Sequence, residues 1–69
     1  MVTQIGIVAG EILNYLDTHK EGRLSELPSA IGKERDLILM SLGWLAREGH
    51  IRLRKEDGDY LVSLRVREQ

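Results

Sequence analysis

Two unlike periodicities meet at Gly49. From Asp36 to Glu48 the chain is helical in pattern, with apolar residues at Leu37, Ile38, Leu39, Met40, Leu42, Trp44, Leu45 and Ala46. Gly49 then supplies a helix stop, and His50-Ile51-Arg52-Leu53-Arg54 alternates polar with apolar as a strand does. A helix that feeds straight into a strand leaves few ways to close a core. This helix is also apolar on more than one side, so one core-facing stripe does not account for all its large side chains.

The chain has 69 residues, room for one domain over residues 1–69. A domain of this size buries only about 60% of the surface its unfolded chain exposes. With 42% hydrophobic residues, some apolar surface must stay partly open or be covered by a second chain. There is no cysteine, and His19 and His50 lie far apart without ligand-like spacing, so neither a disulfide framework nor a zinc site is expected. Ten basic residues against eleven acidic ones give a net charge of −1. Binding to nucleic acid rests largely on neutralising phosphates, so this balance argues against a dedicated non-specific binder, though not against a local basic face. The start Met1-Val2-Thr3-Gln4-Ile5 has neither a positive n-region nor a long apolar run, so no signal peptide or membrane span is read, and a cytoplasmic protein is expected.

Between Gln4 and His19, residues Ile5, Val8, Ala9, Ile12, Leu13, Tyr15 and Leu16 fall on one arc of a helix. Thr3 is the expected N-cap. Gly6 and Gly10 each cost helix stability by about 1 kcal/mol against alanine, a cost that usually accompanies close approach of another backbone. Glu21-Gly22 is expected to break the helix, and Arg23-Leu24 to add a short strand. Ser25 reads as the N-cap of a brief second helix to Ile31, with Pro28 in its first turn and Gly32 closing it. The third helix follows from about Glu34 to Glu48, a helix-turn-helix arrangement. Asp57-Gly58 is a hairpin signal. Folding there pairs Lys55 with Tyr60, Leu53 with Val62 and Ile51 with Leu64 on one face. Arg54 then lies opposite Leu61, Arg52 opposite Ser63 and His50 opposite Arg65 on the other.

The order of elements, the junction and the charged hairpin resemble winged helix-turn-helix domains over nearly the whole chain. More closely, Ala9-Gly10, Leu27 to Gly32, and Leu42-Gly43-Trp44-Leu45-Ala46-Arg47-Glu48-Gly49-His50-Ile51 resemble a family of small stand-alone prokaryotic winged-helix proteins whose function is largely uncharacterised. The resemblance implies an α+β fold, three helices with a two- or three-stranded antiparallel wing. It says less about function, because one fold hosts many roles.

On a helical wheel, Ile38, Leu42 and Leu45 cluster on one side, and with Ser41 match the core-facing positions of a winged helix. Leu37, Met40 and Trp44 form a separate stripe, with Arg47 beside it. DNA-reading relatives carry Arg, Asn, Gln, Ser and Thr in that outward region, where they reach base edges. Here it holds Leu37, Leu39, Met40, Gly43 and Trp44, none able to make a bidentate base contact. Glu34 and Asp36 suit the helix dipole but would repel phosphates in ordinary docking. Three readings stand: Trp44 and Met40 complete a small core, or they form a surface for self-association or another partner, or the helix reads DNA directly. Tryptophan is an enriched interface anchor.

Arg47, Arg52, Arg54, Arg65 and Arg67 could form one positive surface along the wing. It would touch phosphate or the minor groove, or else be a solvated strand face paired with Glu48, Glu56 or Asp57. His50 reads as a solvent-facing wing residue and His19 as a cation at a helix C-terminus. Ser25, Ser29, Ser41 and Ser63 have no histidine partner in sequence, no glycine-rich phosphate cradle is present, and Asp57 and Asp59 flank a turn without an apolar pocket. The expectation is a non-enzymatic regulatory or interaction module, homodimeric through Leu37, Met40, Gly43 and Trp44, with Gly6 and Gly10 as further points of approach. The alternative is a DNA-binding transcription regulator using the arginine-bearing wing, and a third is docking to another protein. No cofactor, metal, membrane or small-molecule substrate is expected.

Overall fold

In the computed structural model, which describes residues 2–65, helix α1 runs Val2–His19, strand β1 Glu21–Arg23, helix α2 Leu27–Ile31, helix α3 Arg35–Arg47, strand β2 Ile51–Glu56 and strand β3 Asp59–Leu64. Helix α1 starts earlier than its apolar pattern, so Thr3 lies inside it rather than capping it. The chain turns not at Gly22 but at Lys20, which adopts a left-handed φ of 76°. Just before that turn, His19 stacks on Tyr15 with ring centroids 4.0 Å apart. Its Nδ1 donates to the Tyr15 carbonyl at 3.0 Å, since a carbonyl can only accept.

The short strand is Glu21–Arg23 rather than Arg23-Leu24, and it pairs antiparallel with β3. Gly22 is buried, and a Cβ there would stand 3.0 Å from Tyr15 Cε1 and 3.3 Å from Leu27 Cδ2. Its missing side chain is a packing requirement. Ser25 does not cap α2: Glu26 holds the N-cap position with no side-chain hydrogen bond. The Ser25 hydroxyl instead donates to Asp59 Oδ2 at 2.6 Å, and its backbone N–H to Asp59 Oδ1 at 3.2 Å. A local capping preference has yielded to a tie between the loop before α2 and the start of β3.

The core lies between α1 and α3 and is closed by α2 and the sheet. Val8, Ala9, Ile12 and Leu16 of α1 meet Leu27 of α2, Ile38, Leu42 and Leu45 of α3, and Ile51 and Val62 of the wing. Each fully buried aliphatic side chain contributes about 1.5–3 kcal/mol relative to exposure. Ser41 is the buried polar exception, its hydroxyl donating to the Ile5 carbonyl across the α1–α3 contact at 3.3 Å. The core face of α3 is thus the one its wheel predicts: Ile38, Ser41, Leu42 and Leu45.

Helix α3 ends in a Schellman motif. The Gly49 N–H donates to Ala46 O at 3.1 Å and the His50 N–H to Leu45 O at 3.0 Å, with Gly49 at φ 77°. Asp57 and Gly58 both take positive φ, 49° and 79°, the requirement of a type I′ hairpin turn. The hairpin register is the expected one, from Ile51 opposite Leu64 to Glu56 opposite Asp59, and Arg65 donates its N–H to His50 O at 3.0 Å. Strand order is β1-β3-β2, a three-stranded antiparallel sheet with β2 at an edge. Ile51 and Val62 are buried, whereas Leu53 and Tyr60, on the same face nearer the turn, are exposed because the wing extends past the helices.

Candidate functional site: the outer face of the third helix and the wing

Helix α3 is anchored by one stripe and so presents the opposite one to solvent. Trp44 is 47% exposed, Met40 40% and Leu39 39%. Leu37 is half-buried and packs partly against the core, while Gly43 is exposed, with nothing within 4 Å of where its Cβ would stand. The Trp44 ring leans toward His50, centroids 6.4 Å apart and planes tilted by 39°. Trp44 and Met40 therefore do not fold back to complete the core. Together with Leu39 they line the side of α3 where hydrogen-bonding groups would be needed to read bases. Glycines 6 and 10 of α1 likewise have no group within 4 Å of a built Cβ, so their helical cost is not offset by close packing within the chain.

The charged ends of α3 frame this face. Asp36 lies in the first turn and Arg47 in the last, each favourable to the helix dipole, and both are exposed. The Arg65 guanidinium also approaches the helix end, its Nη1 3.6 Å from the Cβ position of Gly49.

On the outer face of the sheet, strand pairing puts Arg52, Ser63 and Glu21 in one row across β2, β3 and β1, and Arg54, Leu61 and Arg23 in the next. Glu21, Arg52, Arg54, Leu61 and Ser63, with Leu53, line a shallow open depression. Two of these arginines, Arg23 and Arg54, do not stand as bare positive charges. Arg54 pairs with Glu56 at 2.7 Å, and Arg23 approaches the same carboxylate at 3.7 Å. Arg47, Arg52 and Arg65 form no ion pair among the described residues, and Arg67 lies outside them. Asp59 is held below its ordinary carboxylate range, first by the Ser25 hydroxyl and then by the Tyr60 N–H. Among the described residues no cluster of three or more His, Cys, Asp or Glu side chains could hold a metal ion, and no helix is long and apolar enough to cross a membrane.

An uncharacterised protein of Methanocaldococcus jannaschii, MJ1608, is 32% identical over 65 residues, covering 90% of this chain and 91% of that protein. The sequence profile of the winged helix-turn-helix domain family DUF2582 matches residues 1–64. With three helices, a Gly49-terminated third helix and a three-stranded wing already in place, the chain belongs to the DUF2582 family of winged helix-turn-helix domains.

Proposed function

We propose that this winged helix-turn-helix domain is a non-enzymatic regulatory or interaction module that pairs with a second copy of itself through Leu37, Met40, Gly43 and Trp44. The observation that carries the reading is the half-exposed Trp44 beside Met40, on the helix face that would otherwise present polar groups to bases. A large aromatic that its own core does not claim supplies contact area at low conformational cost, as interface anchors do. The test is sedimentation across a wide concentration series. A mass rising toward twice that of the chain is expected; a monomer at every concentration overturns the reading.

The rival, contact with phosphate or the minor groove through the wing, draws on Arg47, Arg52, Arg54 and Arg65; Arg54 shares Glu56 with Arg23, and the other three form no ion pair among the described residues. It predicts low-salt binding to mixed duplex DNA that charge reversal at Arg52 and Arg54 abolishes, with a steep salt dependence. Absence of any binding at low salt removes it. Pull-down with the Trp44 face intact and altered separates docking of a different protein from self-association.

A further inference from the structure

The exposed face of α3 is self-complementary in one direction only. Resting on the self-association reading above, we infer that two copies pair through α3 in antiparallel fashion about a two-fold axis, with Asp36 of each copy opposite Arg47 of the other. Arg47 follows Asp36 by eleven positions, close to three helical turns, so the two lie on one line of the surface to within about 20°. Met40 and Gly43 fall between them, and all four share an arc about 60° wide. The exposed Trp44 and the half-buried Leu37 flank that arc on one side, and the exposed Leu39 on the other.

In an antiparallel pair, residues equidistant from a common midpoint sit at the same height. Asp36 and Arg47 share their midpoint with Met40 and Gly43, between Ser41 and Leu42. A single axis there brings both acid–base pairs into register, and it places each Met40 level with the partner's Gly43, where no side chain fills the space. A parallel pair would set Asp36 against Asp36 and Arg47 against Arg47. That arrangement is repulsive at both ends, and like charges brought together at an interface are costly. A two-fold interface uses the same patch on both subunits, and this patch carries one charge of each sign at opposite ends of an apolar middle. No other charge on α3 lies within the arc.

The absence of native cysteine allows a direct test. Asp36→Cys and Arg47→Cys chains are treated with a short bismaleimide, separately and as an equimolar mixture. The antiparallel pair predicts efficient cross-linking in the mixture and little in either variant alone, because two copies of position 36 would lie about 16 Å apart along the axes. Cross-linking within each variant alone, or none in the mixture while the wild type is dimeric by mass, overturns the arrangement and leaves self-association standing. A wild type that stays monomeric overturns both. As a second measurement, Asp36→Arg and Arg47→Asp should each weaken the dimer about tenfold or more, since two pairs reverse at once, and the double variant should restore it. Folding of each variant is checked by circular dichroism, and equal dimerisation by all three folded variants would also overturn the pairing.

Discussion

Replacing Trp44 by aspartate separates the fold from the proposed pairing. A tryptophan carries up to about 250 Å² of surface, and 47% of Trp44 is exposed, so about 120 Å² still meets water. Covering that area at about 25 cal/mol per Å² is worth about 3 kcal/mol per copy, or about 6 kcal/mol for a symmetric pair. At about 1.4 kcal/mol per tenfold change, this is an upper limit of about four orders of magnitude in Kd. A facing helix that covers half of each ring would still give about two orders. The monomer also loses the contacts of the part of Trp44 that its own chain covers, worth up to about 3 kcal/mol by the same area, although Trp44 lies outside the buried cluster of Ile38, Leu42 and Leu45. The aspartate's unfavourable place near the helix C-terminus adds up to about 1 kcal/mol to that cost, so the fold is weakened while the pairing loses about twice as much. Sedimentation velocity with parallel thermal melts by circular dichroism gives both quantities. A folded monomer is expected from Trp44→Asp, and likewise from Met40→Glu. If both variants unfold, these side chains complete the core and the reasoning fails.

Three further substitutions probe how the fold is held. Gly22→Ala places a methyl carbon 3.0 Å from Tyr15 Cε1 and 3.3 Å from Leu27 Cδ2; the ring is stacked on His19, so a loss of about 1–3 kcal/mol is expected from urea denaturation. Ser41→Ala removes a buried donor, but the Ile5 carbonyl keeps its own helical partner, so the cost should stay within about 1.5 kcal/mol by the same assay. Asp59 is held below the usual carboxylate range by Ser25 and Tyr60, so its contribution is present above that range and is lost as pH falls through its folded-state value. Asp59→Asn should flatten the acid limb of the stability–pH curve, and an unchanged limb would show that the Ser25–Asp59 tie does not contribute.

Where two local signals agree, the sequence specifies the structure closely. Asp57-Gly58 and the alternation on either side of it fix the same register, and a slip by one residue would turn Ile51 and Val62 out of the core. Gly49 and the change of period at His50 likewise agree on the end of α3. The reading fails where a distant partner competes with a local preference: Ser25 is a good N-cap by type, yet Asp59 takes its hydroxyl from 34 positions away. Gly22 looks like a helix breaker, whereas its place is set by the Tyr15 ring, which the sequence does not position. Alternation shows which face Leu53 and Tyr60 occupy but not how far the helices extend beneath them. For the candidate site, the wheel separates the Trp44 stripe from the core stripe, but exposure depends on where α1 stops covering α3. The pairing of Arg54 with Glu56 was legible, since residues two apart on a strand share a face; Arg23 joining the same carboxylate required the β1–β3 register.

Gly43 brings the two sides of α3 into one measurement. A glycine in a helix interior costs about 1 kcal/mol relative to alanine, and the space around this one is open, so Gly43→Ala has no steric penalty in a single chain. The monomer should therefore gain about 1 kcal/mol in denaturant unfolding. In an antiparallel pair the added methyl group stands level with the partner's Met40, and the two helices must separate or Met40 must move. Association should weaken even as the fold strengthens, a divergence of sign that a purely structural role for the glycine does not produce. Equal or tighter association by Gly43→Ala, measured beside its raised unfolding midpoint, would place the contact elsewhere on the domain.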